Sequence, residues 1–121
     1  MVAAAGGIVT PSISGATTPF AWGASLADLD GKRVTQCALS RICGVCGQSL
    51  GRPVAFVGTP LEVGRNAFHA PPLHVACGGE LQGMPGADPQ WQLVTTAGFE
   101  FVRPGREDED RRPTFQPNSL L

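Results

Sequence analysis

Two short stretches constrain this chain more than anything else in it. CGVCGQSL, residues 43–50, returns as HVACGGEL, residues 74–81. Each sets a ligand-type side chain, two spacers, a cysteine and a glycine in that order. Cys43-x2-Cys46 and His74-x2-Cys77 thus offer three thiolates and one imidazole, the donors a tetrahedral zinc ion prefers, at the separations zinc sites use. A two-residue spacer lets the backbone bend until both side chains of a pair reach one ion. Gly47 and Gly78 suit that bend, because glycine accepts positive φ and leaves backbone amides free to donate to thiolates. With all four positions filled by protein, no place remains for water or substrate. The spacing therefore predicts a structural zinc ion, not a catalytic one.

The rest of the composition makes such a staple plausible. The 121 residues include sixteen glycines and eleven prolines, so much of the chain is expected to be loop around a modest core. Cores of that size usually need a metal or disulfides. The N-terminal stretch has no positively charged region of the kind a secretory signal carries, and its first charged side chain is Asp28. A soluble, cytoplasmic protein is expected, in which four cysteines read as ligands or free thiols. The apolar runs are too short to span a bilayer.

Along the chain, residues 1–30 read as a flexible or loosely docked arm, with Ile8, Val9, Phe20 and Trp22 as the side chains able to dock. Residues 31–102 read as the zinc-binding domain. Within it, RVTQCALSRI (33–42) leans to strand, and GRPVAFVG (51–58) is a strand buried on both faces. TPLEVGRNAFHAPPL (59–73) is expected to be loop, pairing back around 66–68. WQLVTTAGFEFV (91–102) alternates like a hairpin turning at Ala97-Gly98. Residues 103–121, with Pro104, Pro113, Pro117 and an acidic block at 107–110, read as a solvated tail or as a peptide that orders on a partner through Phe115 and Leu120-Leu121. The fold class expected is a small metal-stabilised, mostly-β domain. Its core would be zinc-ribbon or treble-clef-like, with β-hairpins and long irregular termini.

Two further residues compete for chemistry. Cys37, Cys43, Cys46 and Cys77 form an all-cysteine set close to the spacing of [2Fe–2S] ferredoxins, and would make the chain an electron carrier. Under the zinc reading Cys37 is a buried small hydrophobe. His69 precedes His74 by five residues, and offers a replacement ligand, a donor behind the ligands, or a catalytic group.

CGVCGQSLGRPVAFVG followed by NAFHAPPLHVAC resembles a group of small bacterial and bacteriophage zinc-finger proteins that share a CxxCG knuckle, an apolar strand and PPxHxxC. The similarity spans roughly residues 41–77. It implies a treble-clef or zinc-ribbon-like domain with Cys43, Cys46, His74 and Cys77 as ligands, and it brings no assigned reaction. Gly78-Gly79 departs from a treble clef, whose second pair opens a helix, and favours a second knuckle instead. Treble clefs also host HNH-type nucleases, for which Asn66 and His69 are the nearby candidates. No hydrolase elbow or phosphate loop is present. An interaction module that binds a protein partner asks least of the sequence. Nucleic acid is disfavoured by a net charge of −1, the acidic block and the absence of tyrosine; a patch of Arg41, Arg52 and Arg65 would be its only footing.

Overall fold

A computed structural model describes residues 18–118. Ile8, Val9 and Leu120-Leu121 lie outside the described residues. In chain order the elements are α1 (Gly31–Ser40), β1 (Val54–Gly58), α2 (Pro60–Arg65), α3 (Val75–Gln82), β2 (Gln92–Thr96), β3 (Phe99–Val102) and β4 (Thr114–Pro117). The strands form two small antiparallel sheets, β1 with β2 and β3 with β4.

β1 is the strand its apolar run predicts, and all five of its residues are buried. Both of its edges are used. Val54 faces Thr96 and Gly58 faces Gln92 across β2, while on the other side Ala55 exchanges two backbone hydrogen bonds with Leu73, at 2.8 and 2.9 Å. A strand enclosed this way has no solvent face, which is why its sequence does not alternate.

Residues 91–102 are extended but do not fold back on each other. β2 pairs with β1, and β3 pairs with β4, where Phe101 faces Phe115. The Thr96 hydroxyl donates to the Gly98 carbonyl at 2.7 Å, fixing a corner that carries the chain from one sheet into the other. Alternation identified the strands, but pairing is a long-range property it does not encode. The partner of β3 lies at 114–117, inside the stretch expected to be a solvated tail. Phe115 is fully buried there, its ring 5.8 Å from both Phe56 and Phe99 and 5.0 Å from Phe101. Phe68 completes the cluster, 5.5 Å from Phe56, and its backbone exchanges hydrogen bonds with Phe115. Burying each such ring stabilises the domain by about 2 kcal/mol.

The helices correct two expectations. Residues 33–40 form most of α1, not a strand, and only Ile42 of that stretch is in a β-bridge. Asp30 caps it by accepting from the N–H groups of Lys32 and Arg33, and Val34 and Cys37 sit at helical spacing on the buried face. The stretch from 59 is a capped helix before it is a loop. Thr59 and Glu62 form a reciprocal capping box around α2, with Pro60 at its first position. The loop does not pair back on itself near 66–68; Phe68 bridges instead to the distant Phe115.

Residues 20–30 are docked. Phe20 and Ala21 donate to the carbonyls of Val45 and Gly44 at 3.0 and 2.9 Å, and Trp22 is buried beside Trp91. No helix among the described residues is long and apolar enough to cross a membrane.

Candidate metal centre

The first ligand pair sits on a tight knuckle closed by an antiparallel bridge between Ile42 and Ser49. Within it the Cys43 N–H donates to Gln48 at 2.8 Å and the Gly47 N–H to Cys43 at 2.9 Å. Gly47 has φ +74, a conformation that glycine adopts without strain. The second pair sits differently from the expected repeat of that knuckle. His74 is the N-cap residue of α3, and Cys77 lies in the helix's first turn. N-cap and third-position side chains face each other across a helix start, the relation a capping box exploits. Here the His74 side chain makes no cap bond and turns instead toward the cysteines.

The knuckle and α3 bring the four side chains together. The ligand atoms of Cys43, Cys46, His74 and Cys77 all lie within 4.8 Å of one another. His74 Nδ1 is 3.4 Å from Cys46 Sγ and 3.8 Å from Cys77 Sγ. A zinc ion with its usual bond lengths to sulfur and imidazole nitrogen defines a tetrahedron with edges of about 3.5–3.8 Å. The donor set and its spacing therefore fit such an ion.

The surroundings orient the donors. His74 Nε2 donates to the Ser49 carbonyl at 2.8 Å, which assigns the proton to Nε2 and leaves the Nδ1 lone pair facing the sulfurs. Cys43 Sγ accepts N–H groups from Val45 at 3.3 Å and from His74 at 3.4 Å, so one sulfur draws on both halves of the site. The halves are also strapped by Gly44, whose N–H donates to the Pro72 carbonyl at 2.9 Å. Only glycine permits that approach: a Cβ at Gly44 would stand 2.5 Å from Pro71 Cγ.

Electrostatically the site wants a cation. Burial pushes the Cys46 and Cys77 thiols up, and the neighbouring Cys43 sulfur adds to this at both. Thiolates gathered in a partly buried space repel one another, and a divalent ion at their centre supplies the missing counter-charge.

The other candidates fall elsewhere. Cys37 is fully buried on α1 and is not in the ligand group, its thiol pushed up to about 12 by burial and then by Cys43. The structure therefore gathers His74, not Cys37, with the three thiols. Asn66 is the left-handed C-cap of α2, and its side-chain amide donates to the Pro117 carbonyl at 2.8 Å. His69 stands between carboxylates, with Nδ1 3.0 Å from Glu62 and Nε2 3.1 Å from Asp110. Arg41, Arg52 and Arg65 belong to three separate segments, and the Arg41 guanidinium lies 5.1 Å from the centre of the Phe99 ring. Sequence reasoning missed the Ser49 carbonyl, which no side-chain pattern marks. It also missed Glu62, although TPLE carries the capping-box signature that places that carboxylate. Among known proteins, no family model, no curated protein and no solved structure matches this chain.

Proposed function

We propose that the chain is a zinc-stabilised, non-enzymatic interaction module. One zinc ion, held by Cys43, Cys46, His74 and Cys77, fixes a small scaffold that binds a protein partner. The observation that carries this reading is the convergence of the four ligand atoms within 4.8 Å, with His74 already oriented by Ser49. Four protein donors close a tetrahedral ion, so the metal serves the fold and not a reaction. A knuckle followed by a helix that begins at the second pair has the ligand arrangement of a treble clef. That form agrees with the resemblance to small bacterial and bacteriophage zinc-finger proteins. A protein partner is supported by large apolar side chains left in solvent, Leu39 on α1 at 68% exposure and Leu61 on α2 at 62%. Nucleic acid is less well served, since the arginines nearest the knuckle do not share an element and the net charge is −1.

Elemental analysis with an absorption spectrum of the purified chain tests the metal. The expected result is one zinc per chain and no visible colour, and a tetrahedral spectrum when cobalt replaces zinc. Visible absorption bleached by a reductant would replace this reading with an iron–sulfur carrier. Photo-crosslinkers at Leu39 and Leu61 test the partner, which should be one defined protein lost on Leu39→Glu or Leu61→Glu. Salt-sensitive DNA or RNA binding that disappears when Arg41, Arg52 and Arg65 are replaced would move the function to nucleic acid.

A further inference from the structure

Away from the metal ligands, one imidazole has a geometry that dictates its protonation. Both ring nitrogens of His69 face carboxylate oxygens, Nδ1 at 3.0 Å from Glu62 and Nε2 at 3.1 Å from Asp110. A neutral imidazole carries one N–H, so it can satisfy one of these contacts and must turn a lone pair toward the other. Only the imidazolium donates to both. Charged groups surround the ring on every side. Glu62 and Arg65 face it or its clefts from α2, Arg103 from the end of β3, Asp88 from the segment before β2, and Asp108, Glu109, Asp110 and Arg112 from the loop at 103–113. Five carboxylates thus stand against three guanidiniums.

The two carboxylates are not equally fixed. Glu62 also accepts the backbone N–H groups of Thr59 and His69, both at 2.9 Å, and is anchored in the capping box. Asp110 sits on an exposed loop and is tied otherwise to Arg112, two residues away. When one contact must break, it is the one to Asp110. His69 and Arg112 also form the wall between two clefts, one of about 310 Å³ bordered by Arg65 and Arg103, the other of about 320 Å³ bordered by Trp22 and Trp91.

The geometry points to a proton-operated clasp, in which doubly protonated His69 pins the 103–113 loop to α2 and loss of one ring proton frees the loop and opens the wall between the clefts. The device is independent of the metal ligands, which use the other histidine.

Long-range nitrogen–proton NMR of the zinc-loaded full chain counts the protons on the His69 ring, while amide exchange at 103–113 follows the loop. Exchange is compared after correction for its intrinsic dependence on hydroxide. The expected result is two ring protons while the loop is protected, and about a tenfold rise in loop exchange in step with loss of one ring proton as pH rises. Asp110→Asn, on an exposed loop, should remove that pH dependence while leaving the Thr59–Glu62 cap protected. His69→Gln should do the same for the loop. A ring that carries a single proton while the loop is protected, or a loop in Asp110→Asn that responds to pH as the wild type does, overturns the clasp.

Discussion

Stripping the metal is the most demanding perturbation, and the structure indicates where it acts. Besides the ligands, the knuckle at 42–49 is held by the buried side chain of Val45 and by backbone hydrogen bonds to its neighbours. Four such bonds run from Phe20, Ala21, Gly44 and Ile42 to Val45, Gly44, Pro72 and Cys37. At about 1 kcal/mol net each, they supply about 4 kcal/mol. A structural zinc ion of this donor type contributes about 10–16 kcal/mol, against a total of about 5–15 kcal/mol for a typical domain. Such an ion therefore outweighs the backbone bonds that hold the knuckle to its neighbours. Removing it also leaves sulfurs whose thiolate form is disfavoured by burial and mutual proximity. Chelation under reducing conditions should abolish the cooperative thermal transition and bring the amides of Cys43, Gly47 and Leu50 to within about tenfold of unstructured exchange rates. The amides of β1 report on the aromatic half, where Phe56 packs against Phe68, Phe99 and Phe115. The assay pairs elemental analysis with hydrogen exchange and a thermal melt. A chain with less than about a tenth of an equivalent of metal that keeps its melting midpoint and its protection at 42–49 refutes the argument, because linkage requires the loss.

Three other outcomes follow from particular residues. Phe115→Ala removes a fully buried ring from the junction of the two sheets, and should cost about 3–5 kcal/mol by denaturant melt; a cost below about 1 kcal/mol would mean that β4 is not docked. Cys37→Ala should leave metal content at one ion per chain, since that buried thiol stands outside the ligand group, whereas loss of metal would return Cys37 to the ligands. Burial alone would raise the Glu62 carboxyl, but hydrogen bonds from the His69 ring and from the Thr59 and His69 N–H groups hold it at about 2, below its ordinary 4.5. A lowered folded value stabilises above the ordinary one, so this contribution is present above pH 4.5 and fades as pH falls toward 2. Glu62→Gln should flatten that acid limb and cost about 1–2 kcal/mol at neutral pH, after allowance for solvent screening at a partly exposed pair.

What the sequence made legible was chemistry at fixed spacing. Ligand pairs, the buried strand and the alternating stretch all depend on neighbours within a few residues. The four ligand-type side chains converge and 54–58 is the buried strand, while the alternating stretch supplies two strands but not the hairpin read from it. What stayed hidden depends on partners far along the chain. Nothing local in Phe99-Glu100-Phe101 names Phe115 as the facing residue, and nothing in REDEDRRPTF shows that a charged loop will return one phenylalanine to the core. The turn into α2 was readable, because Thr59, Pro60 and Glu62 are a helix start written in three residues.

The glycines after Cys77 mark the point where local reasoning fails for a physical cause. Each costs a helix about 1 kcal/mol relative to alanine, which argues for a knuckle. Yet a Cβ at Gly78 would lie 2.8 Å from Leu93 Cδ1 and 3.6 Å from the Ala55 methyl, so the missing side chain is what lets α3 lie close on β1 and β2. At Gly79 nothing lies within 4 Å, so that residue weakens the helix without aiding its packing. The helix forms because packing against the sheet offsets the propensity loss. Its start is set by the need for His74 and Cys77 to face one point, since N-cap and first-turn positions bring them there together. The same four donors that were visible as a pattern thus select the helix that the two glycines, read alone, argue against.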